Sequence, residues 1–141
     1  VGCSILGFLI RILNFLIDMV NTFTIKDQGA MHFITCTVHQ WVDVFNRPLY
    51  ADMLLESIRY CQQHKGLEVY AWVLMSNHFH MIVRAGENNL SDVIRDFKKH
   101  TAKSIYKAIE DNPTESRKQW LRDHGERDVE GVIARHAVIV D

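Results

Sequence analysis

Hydrophobic and polar positions recur with two different periods along this chain, and the changes of period mark its elements. MHFITCTVH, 31–39, alternates apolar and polar positions and is rich in Ile, Thr and Val, which predicts a half-buried strand. From Asn46 to Gly66 the spacing becomes helical. Asn46 is a candidate cap, Pro48 suits the first turn, and Gly66 suits the stop. Leu49, Met53, Leu54, Ile58 and Cys61 fall on one apolar face. LEVYAWVLM, 67–75, and HFHMIVR, 78–84, predict two strands joined by a tight turn at Ser76-Asn77, where asparagine tolerates positive φ. Residues 90–110 return to helical spacing, with Leu90, Ile94, Phe97, Thr101, Ile105 and Ile109 as the apolar stripe. This order opens a ferredoxin-like split βαβ sandwich of the α+β class with an antiparallel hairpin. RHAVIVD, 135–141, is the candidate closing strand, and the C-terminus reads as truncated.

The first twenty residues are apolar, yet Ser4, Gly7, Arg11, Asn14 and Asp18 form one polar stripe. That predicts an amphipathic helix packing on the domain or on a partner. Arg11 and Asp18 argue against a membrane span, and no basic leader or cleavage site is visible. The chain begins with Val1, so a valine-type start or a fragment is expected, or a frame opened early with Met19 or Met31 nearer the beginning. Three parts follow: an amphipathic extension over 1–30, a domain over 31–120 and a divergent tail over 121–141.

Composition narrows the classes. With 141 residues, 48% of them hydrophobic, the chain fits one domain with a real core. Sixteen basic residues face 17 acidic ones, which excludes a global polyanion binder and leaves only a local nucleic-acid surface. Three cysteines without a CxxC pair point to a reducing compartment, the cytoplasm. Cys36 and Cys61 read as small buried hydrophobes.

His78 and His80 are exceptional on an otherwise apolar strand. One residue apart, they point to the same face, with Cβ atoms about 6.6–7 Å apart. Two imidazoles at that spacing can tilt toward one divalent metal, and two ligands with open positions suit a catalytic ion. The plainer reading is two water-satisfied histidines on an open sheet face. The apolar neighbours, the adjacent turn and a following basic helix weigh against it. On that helix Arg95, Lys99, Lys103 and Lys107 recur every four residues, widened by Lys98 and His100. Such a stripe reads phosphate, not sequence, and is otherwise a solvated face. Tyr106 lies beside it, a phosphate nucleophile if a metal polarises the phosphoryl group, or else a half-buried packing residue.

YAWVLMSNHFHMIVRA followed by LSDVIRDFKKHTAKSIYKAI resembles the small single-tyrosine HUH transposases of bacterial insertion sequences and their REP-associated relatives. HUH denotes His, a hydrophobic residue, His, matched by His78, Phe79 and His80. The resemblance covers about residues 31–120. It implies single-stranded or hairpin DNA as partner, magnesium or manganese held by the two histidines and a third polar ligand, and strand cleavage through a 5′-phosphotyrosine. It also implies a homodimer. The family's tyrosine usually sits on a further helix, followed one turn later by a metal-ligating glutamine. This chain has no tyrosine beyond Tyr106, so Tyr106 and Glu110 are the candidates for nucleophile and third ligand, and a defective copy is an expectation. His124 and His136 are further ligand candidates in a stretch whose 110–130 segment carries four basic against seven acidic residues.

Overall fold

A computed structural model describes residues 25–38, 41–119 and 138–140. Four strands and two helices follow in the order β1 (His32–Thr37), α1 (Pro48–His64), β2 (Leu67–Leu74), β3 (His78–Ala85), α2 (Leu90–Asp111) and β4 (Val138–Val140). The sheet is antiparallel with strand order β2-β3-β1-β4, the split βαβ arrangement that the element order predicts. The closing strand pairs with β1 through Ile34 opposite Ile139. The amphipathic reading of 1–24 and the candidates His124 and His136 lie outside the described residues.

Both helices cover one face of the sheet. Ile34 and Cys36 of β1 and Phe79, Met81 and Val83 of β3 are buried there, packed with Leu54 and Ile58 of α1 and with Ile94, Phe97, Ile105 and Ile109 of α2. Phe79 meets Phe97 edge-on, ring centroids 5.8 Å apart. All six residues of the expected α2 stripe are buried. On α1 Leu54, Ile58 and Cys61 of the expected face are buried and Met53 packs against the core, and only the first turn departs from expectation. Tyr50 is fully buried and Leu49 is 52% exposed. The N-cap is Arg47, not Asn46, and Pro48 opens the helix. Gly66 takes φ 67 just beyond α1, where a side chain is disfavoured. Cys36 and Cys61 are buried thiols, and burial pushes Cys36 up to about 12 against the opposing charge of Lys98. No helix among the described residues is long and apolar enough to cross a membrane.

Tyr50 turns inward because its hydroxyl has a buried acceptor 65 residues away. It donates to Glu115 Oε2 at 3.1 Å. The Glu115 side chain has no exposure and also meets Arg47 Nε at 2.9 Å and Arg117 Nε at 3.0 Å. Burial alone raises the Glu115 carboxyl, but the Arg117 guanidinium and backbone N–H and the Tyr50 hydroxyl outweigh it and hold it below its ordinary 4.5. Arg117 reaches on to the Asp43 carbonyl at 2.7 Å, and Asp43 accepts from the Ser76 hydroxyl at 2.6 Å. A continuous polar chain thus ties the exit of α2 to the turn that precedes β3.

Removing this acceptor strands the buried Tyr50 hydroxyl donor and takes the carboxylate partner from Arg47 and Arg117. Glu115→Ala is expected to lower unfolding free energy by about 1–3 kcal/mol in urea denaturation. A carboxyl held below its ordinary value stabilises the fold above pH 4.5 and loses that contribution as pH falls through its depressed value. Acid unfolding of the wild type is therefore expected to be steeper there than that of Glu115→Gln.

Candidate nucleic-acid and metal site

Alternation along β3 sends Phe79, Met81 and Val83 into the core and His78, His80 and Ile82 to the opposite face of the sheet. That face carries no helix among the described residues. The histidine rings lie side by side on it, centroids 5.0 Å apart, closer than their Cβ spacing requires. Register sets their neighbours, with Thr35 opposite His80 and Thr37 opposite His78 on β1.

Each ring is oriented through Nδ1. Thr35 Oγ1 lies 2.8 Å from His80 Nδ1, and Asn77 Oδ1 lies 2.7 Å from His78 Nδ1. The Asn77 amide is itself fixed, because its Nδ2 donates to the Trp41 carbonyl at 3.2 Å. Oδ1 is therefore the atom that faces His78, and His78 must donate to it. His78 then carries its proton on Nδ1 and holds an open lone pair on Nε2, the arrangement that metal-binding histidines favour, while the Thr35 hydroxyl, able to donate or accept, orients the His80 ring through the same nitrogen. Two imidazoles anchored this way fit a divalent ion. Among the described residues no third histidine, cysteine, aspartate or glutamate completes a ligand group. Burial, and then the neighbouring charge of His78, lower His80 below its ordinary 6.5.

The side chains around the pair were largely hidden in the sequence. Asn77 does not take positive φ; among described non-glycine residues only Trp41 and Asn88 do. Asn77 acts through its amide, not its backbone. Thr35, Trp41 and Phe33 acquire their places through strand register and loop path. The alternating threonines of β1 were the one visible signal.

The remaining candidates stand elsewhere. α2 packs on the Phe79 side of the sheet, so Tyr106 and Glu110 are across the sheet from the histidines, and the expected nucleophile and third ligand do not join them. The other tyrosines of the chain are also away from the pair. Tyr50 is committed to Glu115, Tyr60 stacks near His64 and His100, and Tyr70 bonds Glu68 in the bulge of edge strand β2. The basic stripe lies on the outer side of α2, with Lys99, Lys103 and Lys107 exposed and Lys98 half-buried. Arg95 is engaged by Asp92 at 2.7 Å and Asp96 at 3.2 Å, which offsets its charge.

The transposase IS200-like family model matches residues 26–137. The solved REP-associated tyrosine transposase bound to a REP hairpin is similar in fold, with TM-score 0.51 and 22% identity over 58% of this chain and 51% of that one. This chain thus spans about half the length of that protein. A candidate transposase of Deinococcus radiodurans R1 gives TM-score 0.60 and 14% identity over 85% of this chain and 84% of that one. No curated protein matches the sequence.

His80 is expected to titrate below 6.5 in ring-proton NMR, and His78→Ala to move it upward by removing a neighbouring charge. A histidine depressed in the folded state stabilises the fold above 6.5 and loses that contribution as pH falls, so stability is expected to decline from pH 7 toward acid. An unchanged His80 titration in His78→Ala contradicts the coupling.

Proposed function

The chain belongs to the IS200-like transposase family, and from that membership we propose that it binds single-stranded or hairpin DNA in the cytoplasm and that His78 and His80 hold a divalent metal beside one of its phosphates. The observation that carries this reading is the pair of rings on one open face, centroids 5.0 Å apart, each engaged at Nδ1 by Asn77 or Thr35. Magnesium or manganese bound there would polarise the phosphoryl oxygens and orient the phosphate. The chain's own residues engage both Nδ1 atoms, which leaves the two Nε2 atoms to face the metal, and brace the turn that carries them. Homodimer formation belongs to the same proposal, on family membership alone.

Lys99, Lys103, Lys107 and Lys98 are proposed to contact the DNA backbone, with Arg95 a weaker contributor because of its carboxylate partners. The stripe and the histidines face opposite sides of the sandwich. A strand that touches both must pass around an edge of the sheet, so backbone affinity and metal chemistry are separable. Replacing Lys99 and Lys103 with alanine is expected to flatten the salt dependence of single-strand binding by up to about 0.7 per lost contact. Metal affinity should not change. Asn77→Ala, in contrast, is expected to weaken metal binding about 10–100-fold by releasing the His78 ring, and His78→Ala to abolish it.

Cleavage is a separate question, because no tyrosine of this chain stands beside the histidine pair. We therefore propose a copy that binds DNA without forming a phosphotyrosine adduct of its own, and the same observation favours water as the nucleophile if cutting occurs. Hairpin-bearing single-stranded DNA is incubated with the protein and manganese and run on a denaturing gel. Unshifted protein is expected. Free cleavage products would establish a water-using phosphodiesterase. A shifted protein band lost in Tyr106→Phe would make Tyr106 the nucleophile and overturn this reading.

A further inference from the structure

Four aromatic rings form one row across the open face of the sheet. Phe33 stacks on His80 with centroids 5.3 Å apart and planes 17° from parallel. His80 meets His78 at 5.0 Å, and His78 meets Trp41 at 5.8 Å with planes at 68°. Trp41 ends the row and is 64% exposed. An indole that contributed mainly to packing would be covered. This one adjoins His78 and leaves most of its surface to solvent.

The backbone of Trp41 is unusual as well. Its φ is 58°, a region in which a bulky residue is strained. The conformation is fixed from both sides. The Trp41 N–H donates to the Val38 carbonyl at 3.0 Å, and its own carbonyl accepts from Asn77 Nδ2 at 3.2 Å. Asn77 is the residue that also orients His78, so one amide sets the indole loop and the histidine ring together. Strained residues held by their surroundings concentrate at ligand sites.

We infer that Trp41 is a stacking platform for an unpaired nucleobase of single-stranded DNA, beside the phosphate that the histidines face. This rests on the DNA-binding reading above. A base is the occupant that the geometry suits: every base presents a flat π-face, and stacking on an exposed aromatic ring is tolerant of sequence. The indole supplies such a face next to groups suited to phosphate. A base stacked there would fix where along the strand the phosphate meets His78 and His80. The lysines of α2 cannot do that, because they read charge alone.

Two variants isolate the ring. Trp41→Gly removes it while suiting the positive φ, so the loop keeps its path. Trp41→Phe keeps an aromatic face. Binding of an unstructured mixed-base deoxyoligonucleotide and of an abasic strand of the same length is measured by fluorescence anisotropy, in EDTA, across a salt series. Trp41→Gly is expected to bind the base-bearing strand about 5- to 150-fold more weakly, with the salt slope unchanged. Trp41→Phe should recover most of the loss. The abasic strand should bind wild type and Trp41→Gly alike. Equal affinity of wild type and Trp41→Gly for the base-bearing strand overturns the inference. An equal loss on both strands does so too, because it marks a structural role. If the wild type binds neither strand, the DNA-binding reading itself fails; if it binds both strands equally, only the stacking site fails.

Discussion

Everything at the candidate site depends on the two-residue repeat of β3. One strand has to supply the centre of the core and the reactive face at once, and side-chain alternation is what allows it. Phe79 and Met81 go to the helices, and the histidines go to the opposite face. A one-residue slip of β3 against β1 would bury both imidazoles and expose the phenylalanine. The register is therefore fixed by the hydrophobic core, and the chemistry inherits its placement from that core. Thr35 and Thr37 face the histidines for the same reason, because β1 alternates in phase with β3.

The one-sided packing of the helices has a second consequence. Both helices bury their apolar stripes on the Phe79 face, so every charged group that α2 carries outward is remote from the histidine rings. The immediate surroundings of the pair are aromatic and neutral: Phe33, Trp41, Thr35 and Asn77. A neutral setting disfavours protonated imidazole and favours the ligand form, which agrees in direction with the lowered His80. At His80 desolvation thus favours the lone-pair form. Phosphate attraction is left to the lysines of α2, on the far side of the sandwich.

Much of this was legible in the sequence, and the boundary of legibility has a physical cause. Helical stripes and strand alternation are local, so the element order, the hairpin, the closing strand and the common face of His78 and His80 could all be read. The apolar face of α1 was legible from Met53 to Cys61 but not in the first turn, where Tyr50 rather than Leu49 is turned inward by Glu115, 65 residues away. Asn77 was read as a turn former, a local role. Its observed roles need Trp41 and His78 in three dimensions. The basic stripe of α2 was visible, but the face it would present relative to the histidines was not. That follows from which side of the sheet the helix covers. Arg95 similarly looked like an available cation until Asp92 and Asp96 were seen to hold it.

The polar chain from Glu115 explains how a site on a bare sheet face is kept in shape without a covering helix among the described residues. The β2–β3 turn is only half-buried, and short turns of that kind open at low free-energy cost unless they are tied down. Ser76 and Asn77 are nevertheless anchored. The Ser76 hydroxyl donates to Asp43, and its carbonyl accepts from the Phe45 N–H at 2.8 Å. The Asn77 carbonyl accepts from the Val38 N–H at 2.8 Å. The loop that supplies these partners is held by Arg117 and, through it, by the buried Glu115. Buried polar groups are costly unless every member is satisfied, so such a network tolerates few alternative arrangements. Glu115 is far from the histidines in sequence and takes no part in their chemistry. Its cost of burial is offset by Arg47, Arg117 and the Tyr50 hydroxyl, and through Arg117 it braces the loop that anchors the turn from which both rings project.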